Sequence, residues 1–400
     1  MSRVVVVGAG PAGLAAAVAV RRRGGGDVVV LDREDTAGGV PRHCHHTGFG
    51  LRDLHQVLRG PTYAARWVAL ARRAGVEVRT QATATGWAGP TALTVTSPRG
   101  VETLAADAVV LATGCRERPR SARLVPGTRP AGVLTTGALQ QLVHLQHVHV
   151  GRRAVVVGAE HVSFSAVMTL REAGCETISM VTEHPMHQTY APFAWWAAGR
   201  HGVPVVTSTR LTDIRGRERV EAVLLDDGRW LACDTVVFTG DWIPDHELAR
   251  RGDLQMDRGT LGPAVDASGR TSRPGVFAAG NLVHAAEPAD VAALGGRATA
   301  GPVHAFLTTG AWPTPRDPVG CVAPLCWVWP QILTAGAPPP AIVVLRTTEF
   351  VRRGTLVVEQ EGRVLWRGRP RDFVPNRSIH VPGAWATTRR DGPVRCRIDG

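Results

Sequence analysis

The sequence contains no lysine, so all 46 of its Lys-plus-Arg positions are arginine. That absence excludes a pyridoxal Schiff base and a lysine-dependent phosphate loop, because both chemistries need a primary amine. There is no C-x-x-C. The seven cysteines (Cys44, Cys115, Cys175, Cys233, Cys321, Cys326 and Cys396) are odd in number and scattered, which argues against a disulfide framework and for a reducing, cytoplasmic setting. No apolar run reaches the length of a membrane span. The apolar opening carries Arg21, Arg22 and Arg23 after the run rather than before it, so it does not read as a secretion signal. The formal charge of +12 is spread along the chain without an aromatic-interleaved basic block. A solvated arginine-rich surface is expected, with no nucleic-acid partner and no membrane.

What is present is a chain of 400 residues, 44% hydrophobic, enough for two or three domains. Val4 to Asp32, VVVVGAGPAGLAAAVAVRRRGGGDVVVLD, reads as strand, glycine turn, helix and second strand ending in an acid. Val4 to Val7 has the β-branched density of a strand buried on both faces. Gly8, Gly10 and Gly13 form G-x-G-x-x-G: a tight turn, room for a pyrophosphate, and close helix packing. The helix N-terminus offers free N–H groups to an anion, and Asp32 stands where an acid bonds a ribose hydroxyl.

After Asp32 a turn-rich loop carries Gly38, Gly39 and then His43, Cys44, His45 and His46. Neighbouring side chains diverge, so no metal site is expected there; a place beside a cofactor ring is. A helix is predicted over Thr62 to Ala74, closed by Gly75, and strands over Val76 to Ala84 and Ala92 to Val95. DAVVLATG at Asp107, DTVVFTGD at Asp234 and GVFAAGN at Gly275 repeat one pattern, a buried strand ending in small residues, where open α/β sheets hold ligands.

Arg153 to Gly174 supplies a second strand, turn and helix, followed by a strand over Thr177 to Thr182. Of its fingerprint only Gly158 remains, with Glu160 and Ser163 in place of the other glycines. A glutamate there opposes a dianion unless its side chain turns away. From Arg316 onward, segments such as Ala341 to Arg346, Thr355 to Gln360 and Val364 to Arg367 read as a small β domain. Trp327 and Trp329 are expected to pack on the main body. Cys321 and Cys326 lack further ligands nearby and read as buried or free thiols. The aromatics of His187 to Trp196 are expected to pack between domains rather than line a site.

Taken together, VVVVGAGPAGLAAA, GGVPRHCHHTGFG with GPTYAARW, LATGCRERPR, RPAGVLTTGALQQLV, CDTVVFTGDWIPDHELAR and TSRPGVFAAGNLVH make the chain resemble the two-dinucleotide-fold flavoproteins, the class that includes thioredoxin and glutathione reductases. More narrowly it resembles FAD-dependent oxidoreductases related to the α subunits of hydroxyproline dehydrogenase, opine oxidase and hydrogen cyanide synthase. The resemblance covers about residues 3–310. It implies an α/β fold: an FAD-binding domain from residues 1–117 and 245–312, an inserted NAD(P)-type domain at 118–244 with a degenerate fingerprint, and a β-rich C-terminal domain at 313–400. It implies that Gly8, Gly10, Pro11, Ala12, Gly13, Asp32 and Arg33 hold the pyrophosphate and adenosine end of FAD. Gly38 and Gly39 then lie along the cofactor, Thr113 and Gly114 cover it, and Gly280 with Asn281 approach its ribityl chain.

His46 is the candidate catalytic group beside the flavin, since imidazole takes a proton near neutral pH; it counts among the cofactor contacts as well. Cys44 is a second catalytic candidate, as a thiol against the flavin. Cys115 reads as a packed small residue. Three functions stay open. One is oxidation of a C–N bond in an amino acid or secondary amine by hydride transfer to FAD, as one subunit beside a second flavoprotein. Another is an NAD(P)H-dependent flavoprotein reductase. The third is a non-catalytic FAD-bearing partner subunit.

Overall fold

The computed structural model describes residues 2–195, 202–314, 316–334 and 337–400. Strand β1 (Arg3–Val7) leads into helix α1 (Pro11–Arg22) and strand β2 (Asp27–Leu31). The first sheet is wholly parallel, in the order 276–278, 108–111, β1, β2, 77–79. Its outermost strand, Val276–Ala278, comes from far along the chain. Val4, Val5 and Val6 are fully buried because both faces of the sheet are covered. Helices cover Val4 and Val6 on one face, and Leu93, Val95 and Leu104 of an antiparallel three-stranded sheet cover Val5 on the other. Burying each valine stabilises by roughly 1.5–3 kcal/mol.

α1 is alanine-rich on the side that meets helix Ala289–Ala298, so the two backbones come close; a Cβ on Gly296 would lie 2.0 Å from the Ala12 carbonyl oxygen. Helix α2 (Gly60–Arg73) begins two residues before the predicted Thr62. The single strand expected over Val76 to Ala84 is two, Glu77–Arg79 and Thr83–Trp87. Gln81 between them takes φ +52, a left-handed conformation that breaks a strand.

The second sheet repeats the first. Its parallel order is 133–135, 235–238, 153–157, 176–181, 205–206, with helix α3 (Thr136–His144) and helix α4 (His161–Glu172) packed together. The chain enters and leaves it through an antiparallel pair, Cys115–Glu117 with Trp242–Pro244. The C-terminal region is β-rich, with strands including Ile342–Thr347, Val351–Gln360 and Val394–Asp399 around Leu345, Val358 and Cys396. Trp327 packs on the main body, its ring 5.5 Å from that of His284. Of the aromatics expected to pack between domains, Tyr190 lies against Arg377 of the C-terminal region, Trp195 is exposed, and Trp196 lies outside the described residues. Among the described residues no helix is long and apolar enough to cross a membrane.

Candidate functional site

The turn after β1 is shaped by what glycine leaves out. Gly8 has φ +107, and a Cβ there would lie 2.4 Å from the Ala112 carbonyl oxygen; on Gly13 it would lie 1.9 Å from the Gly8 carbonyl oxygen. These two glycines let the chain pack. Gly10 differs, because the nearest atom to its missing Cβ is the Gly39 Cα at 4.0 Å. Its side chain is absent from open space. Gly38 donates its N–H to the Ala9 carbonyl at 2.8 Å, laying the Gly38–Gly39 turn against the fingerprint. Pro11 and Ala12 open α1, whose N-terminus has neither a side-chain cap nor an acid in its first turn. Its N–H groups are left for an anion.

The other predicted contacts surround this cradle. Asp32 accepts the Ala9 N–H at 2.6 Å on Oδ2 and the Glu34 N–H at 2.9 Å on Oδ1. Each oxygen keeps a lone pair for a ribose hydroxyl. Arg33 is turned to acids, reaching Asp245 at 3.3 Å and Glu34 at 3.7 Å. Gly280, at φ +69, abuts α1: a Cβ on it would lie 2.5 Å from the Ala12 Cβ. Asn281 spends its amide within its own loop, donating to the Glu287 carbonyl at 3.1 Å and accepting the Glu287 N–H at 2.8 Å. Thr113 donates to the Asp245 carbonyl at 2.7 Å, and the site of a Cβ on Gly114 is open to 4 Å.

His46 is half-buried, its Nδ1 2.9 Å from the Thr47 carbonyl oxygen and its ring 5.2 Å from Phe49. A carbonyl only accepts, so Nδ1 carries the proton and Nε2 the basic lone pair. Cys44 closes the 3-10 turn Val40–His43 in the same loop. It is buried and donates its S–H to Gln140 Oε1 at 3.2 Å, and burial pushes its thiol up to about 12. A thiol held protonated at neutral pH is a poor nucleophile, which leaves Cys44 as a neutral thiol rather than a thiolate. All seven cysteines are free thiols, and burial pushes Cys115 up to about 12 as well.

Sequence reasoning misses two groups here. Gln140, on α3, is 3% exposed; besides Cys44 it faces His43 Nδ1 at 3.3 Å and donates to Ser165 Oγ at 2.8 Å. Burial lowers His43 to about 4, so it stays neutral. Glu117 is the other. Its Oε2 accepts the Gly137 N–H at 2.7 Å while Oε1 has no hydrogen-bond partner among the described residues. Burial raises its carboxyl from 4.5 to about 7. Between those values the folded chain keeps a proton that the unfolded chain has released. Stability therefore falls as pH rises across that window and stays reduced above it. Glu117→Gln is neutral throughout. Its advantage over wild type in urea melts should grow by about 3 kcal/mol across the window; a pH-independent difference would contradict the buried, protonated carboxyl.

Both lie inside segments that carry the family resemblance, Glu117 in LATGCRERPR and Gln140 in RPAGVLTTGALQQLV, but their burial and contacts come from partners distant in sequence. Among the described residues no three His, Cys, Asp or Glu side chains gather as metal ligands; His45 instead stacks on His144 at 3.9 Å.

Two parallel sheets, one free helix N-terminus behind a glycine cradle, and small residues ending the neighbouring strands define a two-dinucleotide-fold flavoprotein. Residues 2–296 match the family described as pyridine nucleotide-disulphide oxidoreductase, and the chain belongs to that family. It is an oxidoreductase and its cofactor is FAD. The chain is 34% identical over 191 residues to the biphenyl dioxygenase system ferredoxin–NAD(+) reductase component of Paraburkholderia xenovorans, a match covering 45% of this chain and 44% of that one. It is 28% identical over 311 residues to an opine oxidase subunit of Agrobacterium tumefaciens, covering 70% of this chain and 60% of that one. It thus spans less than two thirds of either relative. Thioredoxin reductase of T. acidophilum shares the fold, with TM-score 0.64 and 22% identity over 77% of this chain and 100% of that one. The first two of these relatives are named as parts of larger systems; the thioredoxin reductase is not.

The cradle suits FAD, since a side chain on Gly10 would fill the space that a pyrophosphate needs. When bound, FAD supplies a two-electron hydride acceptor.

Proposed function

We propose that the protein oxidises a C–N bond of an amino acid or secondary amine, as one cytoplasmic subunit working beside a second flavoprotein. FAD held in the first cradle would supply the acceptor for a hydride from the amine carbon; the nitrogen proton would go to a base and water would hydrolyse the imine. Gly8, Gly10, Pro11, Ala12 and Gly13 hold the pyrophosphate, with Asp32 and Arg33 toward the adenosine ribose. Gly38, Gly39, Thr113, Gly114, Gly280 and Asn281 line the remainder. His46, with its basic Nε2, receives the proton. The observation that carries this reading is the contrast between two helix N-termini: α1 is uncapped, while α4 is closed by a capping box between Glu160 and Ser163. One dinucleotide cradle is free, so electrons enter from a small molecule. The broader likeness to the opine oxidase subunit, over 70% of the chain, supports the same choice.

The reductase relatives favour a second reading, in which NAD(P)H reduces the flavin. Anaerobic mixing separates the two. A panel of imino acids, N-methyl amino acids and opines should contain a compound that bleaches the flavin, while NADH and NADPH leave it oxidised. Rapid bleaching by either pyridine nucleotide would replace the first reading with the second.

A further inference from the structure

The two dinucleotide folds correspond residue by residue. Gly8 N–H donates to the Leu31 carbonyl at 2.7 Å, and Gly158 N–H to the Val181 carbonyl at 2.8 Å. The Ala9 carbonyl accepts from Gly38 at 2.8 Å, and the Ala159 carbonyl from Gln188 at 3.0 Å. The second strand of each ends in an acceptor for a nearby N–H: Asp32 for Glu34 at 2.9 Å, Thr182 for His184 at 3.3 Å. These matches align Gly10 with Glu160, Gly13 with Ser163, Asp32 with Thr182, and the Gly38–Gly39 turn with Gln188–Thr189. Glu160, Ser163, Thr182, Gln188 and Thr189 are all buried.

The geometry points to a second fold that has become its own ligand: its polar side chains occupy the channel that holds a dinucleotide in the first fold, and pyridine nucleotides are thereby excluded. Glu160 turns its carboxylate toward the strand ends at Gly158 and Gly240. Its Oε2 accepts the Ala159 N–H at 3.1 Å, and Ser163 Oγ accepts the Glu160 N–H at 3.2 Å. Ser163 is paired in turn with Thr239 Oγ1 at 2.7 Å. A Cβ on Gly158 would meet Thr239 Oγ1 at 1.9 Å and Glu160 Oε2 at 2.8 Å; one on Gly240 would meet Glu160 Oε1 at 2.7 Å. The carboxylate thus fills the wedge between the two strand ends, where Gly10 leaves open space. It presents negative charge to the helix end that would attract a pyrophosphate.

Arg377, from the C-terminal region, keeps the other half of the filling in place. Its Nε donates to the Gln188 carbonyl at 2.8 Å, Nη2 donates to the Thr189 carbonyl, and Cζ lies 4.5 Å from the Tyr190 ring centre. Thr189 Oγ1 also bonds His161 Nδ1 at 2.6 Å, at the first residue of α4. The segment aligned with the Gly38–Gly39 turn is therefore bound from both sides.

This exclusion deepens the amine-oxidation reading, and rests on it for the source of electrons, but a test of it needs no amine. Holoprotein is titrated calorimetrically with ADP-ribose and NADH. Wild type should bind neither; a submillimolar dissociation constant for either would overturn the inference. E160G/T182D/Q188G/T189G, which restores four residues of the first fold and leaves Ser163, should bind ADP-ribose at least about tenfold more tightly than wild type. Flavin content and melting temperature report whether that variant folds. Should it not, E160G alone carries the same expected direction, with a smaller gain. Folded variants that bind no better than wild type would overturn Glu160 and its neighbours as the excluding residues. Amine oxidation would fall on a different result, the silence of the substrate panel.

Discussion

Gly10→Glu protein should purify folded and colourless. The backbone tolerates the change, since the nearest atom to a Cβ at Gly10 is 4.0 Å away. The added carboxylate would lie at the N-terminus of α1, where the helix dipole favours negative charge by about 0.3–1 kcal/mol. The same chain already shows that arrangement at Glu160 on α4. What the variant loses is the approach of the FAD pyrophosphate, through both bulk and like charge. FAD content after purification and after reconstitution is the measurement, and loss of affinity by more than about a hundredfold is expected. Retained yellow colour would show that this turn is not the cofactor site. Gly13→Ala separates folding from binding. Its Cβ would lie 1.9 Å from the Gly8 carbonyl oxygen, so that variant should lose soluble protein rather than only flavin.

Arg346→Met should lower stability by about 3–5 kcal/mol, the cost of leaving a buried charge unpaired. Arg346 reaches from strand Ile342–Thr347 into the loop before helix Ala289–Ala298. There it donates to Glu287 Oε1 at 3.1 Å, the Ala286 carbonyl at 2.6 Å and Ser378 Oγ at 3.3 Å. Ser378 donates to the same Glu287 oxygen at 2.6 Å. The side chains of Arg346 and Glu287 are only 7% and 5% exposed, so water cannot replace the lost partner. Glu287→Leu alone should cost a similar amount. The double variant should cost well below the two losses added together, because it buries no lone charge. Urea melts of the four proteins test this. Additive losses would mean that the two side chains act independently. Glu287 also holds both ends of the Asn281 amide through its backbone, so each single variant should release FAD more readily than wild type.

The parts of the fold legible in the sequence are those set by neighbours in the chain. Gly8, Gly10 and Gly13 declare a turn because each lacks a side chain at a spacing fixed by strand and helix geometry. The paired sheets follow from two such units, and the small residues ending each buried strand locate the face that holds the ligand. Val76 to Ala84 reads as one strand because its composition conceals the left-handed Gln81. Cys44 reads as a flavin contact from its place in the loop. Burial makes it an inert thiol, and its hydrogen-bond partner there, Gln140, lies on a helix of the other sheet.

The sequence by itself determined that one dinucleotide turn is intact, that no C-x-x-C motif is present, and that Glu160 stands where a pyrophosphate would. Only the tertiary structure decided which way Glu160 turns, that Gln188 and Thr189 are buried where the first fold has its Gly38–Gly39 turn, that Arg377 clasps them, and that burial raises the Glu117 carboxyl. The physical reason is range: a turn is dictated by steric exclusion within a few residues. Desolvation, hydrogen-bond partnership and space-filling depend on atoms that come together only when distant segments pack.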